Sequence, residues 1–169
     1  DLILLIGTNP RHEATMVNAR IRKASIKNKT PVYSIGNPED LTYNYTLLGD
    51  DVNDISNIFD EKSEISKKLK TVKKPIFIIG ESVLELKNSR YILEKTKNFL
   101  IDNNFINENW NGLNILTQNA STVGAIDLGF YNINKNNNFT FFDKLKNKEF
   151  KILYLVGSDN FEIKKSDEF

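Results

Sequence analysis

Four segments of the sequence join an apolar run to a glycine and then to a polar residue, a pattern that can present backbone N–H groups to an anion. The glycines of these junctions are Gly7, Gly36, Gly80 and Gly157. Where a strand leads through a glycine into a helix, the N–H groups lie at the carboxyl end of the strand, the ligand-binding edge of open α/β sheets. The best candidate is formed by Gly7, Thr8, Asn9 and Pro10, hereafter the 7–10 loop.

The junctions lack the glycine spacing of the known nucleotide-binding motifs. Each junction supplies one glycine, whereas the dinucleotide fingerprint GxGxxG and the Walker loop require more than one. The indication of dinucleotide or triphosphate binding is therefore weak. The segment from Gly157 to Asn160 is a second candidate contact at the same edge, with equally little specificity.

The residues near these junctions do not form a recognisable catalytic pattern. His12 follows the 7–10 loop, and imidazole titrates near neutral pH, but the sequence offers it no partner. We therefore interpret His12 as a surface or packing residue. Ser82 and Ser158 follow strand glycines, yet neither belongs to a GxSxG nucleophile elbow, so a hydrolase is poorly supported.

The composition restricts metal chemistry to carboxylates. The chain has no cysteine and one histidine, which excludes thiolate-ligated iron–sulfur clusters and a cysteine nucleophile. Acidic residues gather between positions 50 and 64, but without the spacing and central glycine of a calcium loop. We predict that they are helix caps and solvent-facing residues: Asp50, Asp51, Asp54, Asp60, Glu61 and Glu64.

Charge and hydropathy give no support for nucleic-acid or membrane binding. The net charge is +1 and the lysines are scattered along the chain. The longest apolar runs, residues 2–6 and 76–79, are far shorter than the roughly 20 residues that span a bilayer. The chain begins with Asp1 inside an apolar run, which suggests an excised or processed piece of a longer protein.

The four apolar runs predict strands that are buried on both faces. They lack the polar alternation of half-exposed strands and are separated by segments long enough for helical crossovers. The fold class predicted is therefore α/β: a doubly wound, mainly parallel open sheet with flanking helices. The fourth strand is expected at 152–156. Residues 1–169 are expected to form one domain or part of one, with a low-complexity loop from Asn132 to Asn138.

The first crossover predicts a helix that begins in the 7–10 loop. Asn9 is its expected cap, Pro10 its first residue, and Glu13 an acidic residue in its first turn. The expected inward face is Ala14, Val17, Ile21 and Ala24. Its cations are interpreted as a solvated face, not as an anion-binding patch: Arg20, Arg22, Lys23 and Lys27.

The remaining segments predict mostly helices. We expect an irregular aromatic stretch at 41–48, two short helices, and a longer helix at 86–101. The buried side of the short helices is Ile55, Ile58, Phe59, Ile65 and Leu69, and that of the longer helix is Ile92, Leu93, Thr96, Phe99 and Leu100. Residues 110–112 suggest a turn, followed by a helix at 113–126. Small residues near its end favour a tight helix contact over a ligand: Ala120, Ser121, Gly124 and Ala125.

Five blocks of sequence, in order along nearly the whole chain, carry a family resemblance. They read LILLIGTNPRHEATMVNARIRKA, DLTYNYTLLGD, KKPIFIIG, WNGLNIL and GAIDLGF. The chain resembles the large iron–sulfur subunits of respiratory complex I, the 75 kDa subunit family of NADH-quinone oxidoreductase. The similar part is their C-terminal region, which itself resembles molybdopterin oxidoreductases. The cluster-binding N-terminal domains of those subunits have no counterpart in this sequence.

The resemblance also gives an interpretation of the 7–10 loop. In molybdopterin oxidoreductases the corresponding loop reads GxNPxxxxP and contributes to the site of the pterin nucleotide. Gly7, Asn9 and Pro10 match, while Thr15 replaces the final proline. The resemblance implies that the complex I version keeps the fold without the molybdenum cofactor. The 7–10 loop is then a vestigial pterin-type loop, and no catalytic, cofactor-binding or metal-binding residue is assigned.

The implied function is that of a noncatalytic structural domain in the peripheral arm of complex I, supporting electron transfer from NADH to ubiquinone. No cofactor is expected in this chain, and iron–sulfur clusters are expected elsewhere in the subunit or complex. The implied partners are the cluster-binding part of the same subunit and other peripheral-arm subunits. Whether the chain itself has an enzymatic activity stays open. The alternatives are a fragment of an active molybdopterin-dependent oxidoreductase and a free nucleotide-binding module.

Residue usage bears on the expected location. Asn, Lys and Ile occur 23, 19 and 19 times, while arginine occurs four times. These preferences indicate an AT-rich genome. Together with the resemblance they favour the matrix side of the mitochondrial inner membrane. The cytoplasmic face of a bacterial inner membrane is the alternative.

Overall fold

The computed structural model describes residues 1–59, 63–119, 121–129 and 141–154. The chain divides into two compact units, Asp1–Ala125 and Ile126–Phe169. The first unit contains a five-stranded, entirely parallel sheet with flanking helices. The predicted α/β fold class is therefore confirmed.

The strands are β1 Leu2–Ile6, β2 Val32–Ile35, β3 Thr46–Gly49, β4 Pro75–Gly80, β5 Ile106–Asn107, β6 Trp110–Asn111 and β7 Leu113–Leu116. The helices are α1 Pro10–Glu13, α2 Thr15–Asn28, α3 Val52–Phe59, α4 Glu64–Leu69, α5 Glu81–Leu84, α6 Ser89–Asp102, α7 Thr122–Asp127 and α8 Phe141–Lys146. Helices connect β1 to β2, β3 to β4 and β4 to β5, whereas the described segments between β2 and β3 and between β5, β6 and β7 contain no helix. The described α helices include none that is long and apolar enough to cross a membrane.

The strand order of the large sheet creates a switch point in its centre. The order is β3-β2-β1-β4-β7, so the chain first builds outward from β1 in one direction and then returns to build outward from β4 in the other. The loops that follow β1 and β4 consequently lead to opposite faces of the sheet. In sheets of this kind, the crevice between two such loops is the usual ligand position.

Alternate residues of the strands point to opposite faces of the sheet and pack in two separate cores. On one face, Leu4 and Phe77 pack with residues of α3, α4 and α6. On the other face, Ile3 and Leu5 pack with Ile21 of α2 and with Leu41. Crossovers between parallel strands have a constant handedness. A helix that connects strands in one direction along the sheet therefore covers one face, and a helix that connects strands in the opposite direction covers the other face.

The structure corrects the sequence interpretation at two strands. Residues 113–116, expected to begin a helix, form β7 and pair with β4 from Phe77 to Gly80. Residues 46–49, expected within an irregular stretch, form β3 and pair with β2. A short apolar run fits a strand or a buried helix equally well. Both segments form strands because a neighbouring strand, β2 or β4, has unpaired backbone groups at its edge.

Two further expectations differ from the structure. Trp110 and Asn111 form β6, an antiparallel partner of β5, instead of a turn. In the predicted strand at 152–156, the described residues 152–154 are not a strand, and Ile152 and Tyr154 are 84% and 86% exposed. A strand needs a partner as well as an apolar pattern, and these three residues have none. Residues 155 and 156, the segment from Gly157 to Asn160 and the loop from Asn132 to Asn138 lie outside the described residues.

The first crossover helix is interrupted. Ala14, at φ −153°, separates the single turn of α1 from α2. Within α2, Asn18 and Ile21 are buried while Val17, expected on the inward face, is exposed. The expected longer helix corresponds to α6, which buries Ile92, Thr96 and Leu100.

The predicted burial of the short helices is confirmed, whereas the predicted tight contact near α7 is not. Every residue expected on the inward side of α3 and α4 is buried: Ile55, Ile58, Phe59, Ile65 and Leu69. A Cβ placed on Gly124 in α7 would meet no atom within 4 Å. The small side chain at Gly124 therefore does not mark a close approach.

Candidate functional site

Three of the strand-end glycines meet at the carboxyl edge of the sheet. Gly7, Gly36 and Gly80 follow or end β1, β2 and β4, and the Gly7 N–H donates to the Ile35 carbonyl at 2.9 Å. A Cβ on Gly36 would lie 3.6 Å from the Gly7 Cα, and one on Gly80 would overlap the Gly7 carbonyl oxygen. These glycines therefore allow three loops to pack against one another. The space that their missing side chains would occupy is filled by neighbouring protein atoms.

A shallow cavity of about 220 Å³ opens beside this contact. It is lined by Gly7, Thr8, Asn9, Glu13, Gly36, Asn37, Pro38 and Ser82. Glu13 is the one charged side chain among these lining residues. The Ser82 hydroxyl donates to the Gly7 carbonyl oxygen at 2.8 Å, which ties the loop after β4 to the loop after β1.

Asn9 holds the 7–10 loop in place with both ends of its amide. Its Oδ1 accepts from the Arg11 N–H at 3.1 Å, which confirms it as the cap of α1, with Pro10 at the first helical position. Its Nδ2 donates to the Pro38 carbonyl oxygen at 2.8 Å. The side chain predicted to cap a helix thus also connects the loops that follow β1 and β2.

Arg11 also connects the loops that follow β1 and β2. Its Nη1 donates to the Asp40 carbonyl oxygen at 2.9 Å and to Asp40 Oδ2 at 2.6 Å. The Thr42 backbone N–H and the Arg11 guanidinium together hold the pKa of the Asp40 carboxyl below its usual value. The cation nearest to the 7–10 loop in sequence is therefore directed towards a carboxylate.

Glu13 turns back onto the 7–10 loop instead of extending into solvent. The Thr8 hydroxyl donates to Glu13 Oε2 at 2.5 Å, and the Asn9 N–H donates to Glu13 Oε1 at 3.2 Å. The sequence placed Glu13 in the first turn of the helix and indicated a turn at Asn37 and Pro38, but it did not indicate that this turn contacts the 7–10 loop. A glutamate shortly after an Asn-Pro cap is the signal that could have indicated a carboxylate folded back onto the cap.

The other candidates do not assemble around the cavity. His12 is exposed, and within the described ranges its side chain has no hydrogen-bond partner. Asp54 acts as a local cap, as predicted, since its Oδ2 accepts from the Asp51 N–H at 3.0 Å. Over the part of the chain that the structure describes, no three His, Asp or Glu side chains are placed to hold a metal ion.

Comparison with known proteins decides the family. A family model described as Molybdopterin oxidoreductase matches residues 1–169. The chain belongs to the molybdopterin oxidoreductase family. Within the family it is similar to the NADH-ubiquinone oxidoreductase 75 kDa subunit of Reclinomonas americana, with 39% identity over 99% of this chain.

Two further relatives of this family member bear closely related names. The NADH-ubiquinone oxidoreductase 78 kDa subunit, mitochondrial, of Candida albicans is 35% identical over 94% of the chain. The NADH dehydrogenase [ubiquinone] iron-sulfur protein 1, mitochondrial, of Solanum tuberosum is 33% identical over 98% of it. The chain spans 21% to 24% of the length of these three relatives.

The 7–10 loop of this family member does not suit the phosphates of a pterin nucleotide. The Thr8 hydroxyl and the Asn9 N–H already donate to Glu13, and the Gly7 N–H donates to Ile35. In the described part of the chain, every buried side-chain nitrogen or oxygen has a hydrogen-bond partner. A binding site prepared for an absent cofactor would be expected to leave buried polar groups unpaired. That the chain binds no cofactor stays a prediction.

Proposed function

We propose that this chain is a piece of the C-terminal, molybdopterin oxidoreductase-like region of a complex I large iron–sulfur subunit. There it is a noncatalytic structural domain that supports electron transfer from NADH to ubiquinone in the peripheral arm. The observation that carries this proposal is the 39% identity to a 75 kDa subunit over 99% of the chain. The three relatives named above all carry names of this one subunit type.

The chemistry of the chain supports the noncatalytic role. Without cysteine, it supplies no thiolate to an iron–sulfur cluster, so the clusters belong to other parts of the subunit or complex. Its best candidate site uses its polar groups to join three loops to one another. We further propose that its partners are the cluster-binding part of the subunit and other peripheral-arm subunits, and that it lies on the matrix side of the mitochondrial inner membrane.

The test is to separate gently solubilised membranes of the source organism on a native gel and to follow this chain by mass spectrometry. We expect peptides of the chain in a band that oxidises NADH and contains other complex I subunits. Migration as a small species outside every NADH-oxidising band would contradict the proposal.

Elemental analysis of the same band separates the proposal from its alternative. A noncatalytic domain predicts iron without stoichiometric molybdenum. One molybdenum per copy of the chain would instead identify a fragment of an active molybdopterin-dependent oxidoreductase and would overturn the structural role.

A further inference from the structure

Glu13 accepts from the N–H of the cap residue Asn9, as capping carboxylates do, and also from the hydroxyl of Thr8, which lies outside α1. We infer that its carboxylate is the internal anion of the 7–10 loop, taking the hydrogen-bond donors that a phosphate would use and thereby closing the loop to phosphate ligands. This inference deepens the proposed function, because it gives a physical reason why a loop of pterin type would be left without a nucleotide.

The first argument is the placement of the carboxylate. Both oxygens of Glu13 are engaged, Oε2 by the Thr8 hydroxyl at 2.5 Å and Oε1 by the Asn9 N–H at 3.2 Å. Thr8 is buried and Asn9 is half-buried, so these donors are partly shielded from water. A carboxylate that accepts one hydroxyl and one amide resembles a bound anion in its contacts.

The second argument is an account of the remaining donors. The Gly7 N–H donates to the Ile35 carbonyl, the Arg11 N–H to Asn9 Oδ1, and the N–H groups of His12 and Glu13 to the Asn9 carbonyl. A phosphate that bound the Thr8 hydroxyl and the Asn9 N–H would have to displace Glu13 from both donors. Since the displaced carboxylate would stay close by, an unfavourable contact between like charges would replace two hydrogen bonds.

The third argument is the charge of the cavity wall. Its lining contains Glu13 and no cationic side chain. Arg11, two residues away from Glu13, does not line the cavity and directs its guanidinium to Asp40. Phosphate sites usually provide Arg or Lys, and this wall provides neither.

The test is a titration of the isotopically labelled 169-residue chain with sodium pyrophosphate at constant ionic strength, followed through the amide signals of Thr8 and Asn9. Wild type is compared with Glu13→Ala, which removes the carboxylate, and with Glu13→Gln, which keeps the size and one acceptor but loses the charge. Glu108→Ala, at an exposed carboxylate between β5 and β6, is the control for net charge.

We expect no saturable shift in wild type or Glu108→Ala up to about 10 mM pyrophosphate. We expect saturation in the low millimolar range for Glu13→Ala, at least about tenfold tighter than wild type, with Glu13→Gln between them. Saturable binding to wild type would overturn the inference.

Equal absence of binding in all four proteins would also overturn the inference, because Glu13 would then not be what excludes the anion. That result would leave the proposed structural role intact, since the role is tested by the native gel. Should Glu13→Ala unfold, Glu13→Gln is compared with wild type instead. Tighter pyrophosphate binding by Glu13→Gln supports the inference, and equal binding overturns it.

Discussion

At the scale of single residues, the strand-end glycine Gly80 is explained by packing. Gly80 has an ordinary extended conformation, at φ −74° and ψ 151°, so an alanine there would not be strained by its backbone dihedrals. Its Cβ would instead overlap the carbonyl oxygen of Gly7, and neither backbone can move without disturbing β1 or β4. The glycine is thus required by the distance between two loops.

This explanation predicts opposite effects for two Gly→Ala substitutions. Gly80→Ala should lower the free energy of unfolding by about 2–4 kcal/mol, because it forces overlap in a packed region. Gly124→Ala, in α7, should be neutral or raise it by about 0.5–1 kcal/mol, because the Cβ enters open space and alanine favours a helix. Urea unfolding of both variants gives the measurement. Equal effects would contradict the packing explanation.

Thr15 is the position where the chain departs from the family pattern, and its surroundings remain compatible with proline. Thr15 is the first residue of α2, where the N–H group has no intrahelical partner. Ala14 before it, at φ −153° and ψ 78°, lies outside the α region, as residues before proline prefer. Threonine and proline at position 15 are therefore both compatible with the conformation of the 7–10 loop and the start of α2.

We expect Thr15→Pro to be neutral or to raise the free energy of unfolding by up to about 1 kcal/mol, mainly by restricting the unfolded chain. Ala19→Pro, at an exposed position one turn into the same helix, is the matched control and should cost about 3 kcal/mol or more. A large loss in Thr15→Pro as well would show that α2 does not begin where the structure places it.

At the scale of elements, α2 is attached to the segment between β2 and β3 through Asn18. The Asn18 side chain is buried, donates to the Leu41 carbonyl at 3.3 Å and accepts from the Tyr43 hydroxyl at 2.8 Å. Burial raises the pKa of Tyr43 above its ordinary value. The neutral phenol is therefore part of what keeps this face of the sheet covered.

This contact predicts a loss of stability in alkali. Above the unfolded-state pKa of about 10, the unfolded chain releases the Tyr43 proton while the folded chain keeps it, so the free energy of unfolding falls as the pH rises. Tyr43→Phe should cost about 1–2 kcal/mol at pH 7 by leaving Asn18 Oδ1 without its donor, and this cost should shrink above about pH 10. Urea unfolding of both proteins at the two pH values is the measurement. A cost independent of pH would contradict the prediction.

At the scale of the whole molecule, apolar burial accounts for the stability of the sheet. The sheet separates two apolar cores, and the larger one contains stacked rings of Phe59 and Phe99 with centroids 4.6 Å apart. Each fully buried side chain of this kind contributes about 1.5–3 kcal/mol. Such cores require no metal or disulfide to hold them, in keeping with a chain that lacks cysteine.

We accordingly expect chelators to leave the stability of the chain unchanged. A structural metal would stabilise the folded state by mass action, and its removal would lower the unfolding temperature. Differential scanning calorimetry with and without excess EDTA should give midpoints that agree within about 1 °C. A reproducible decrease on chelation, reversed by adding a divalent metal, would reveal a structural metal site and contradict the expectation.

The sequence by itself determined the features that depend on neighbouring residues. Apolar runs without alternation identified β1, β2 and β4, and Asn9 with Pro10 identified the start of α1. The blocks of family resemblance identified the complex I relatives, and the lack of cysteine excluded thiolate ligands. None of these features depends on which distant residues the fold brings together.

Only the tertiary structure decided the features that depend on distant atoms. β3 and β7 are strands because β2 and β4 offer them unpaired N–H and C=O groups, and 113–116 would otherwise suit a helix. Gly80 is constrained by the carbonyl oxygen of Gly7, which lies far away along the chain. The direction in which Glu13 turns likewise depends on the packing of three loops. A local apolar pattern favours burial, whereas strand pairing and cavity filling depend on what the rest of the chain brings beside it.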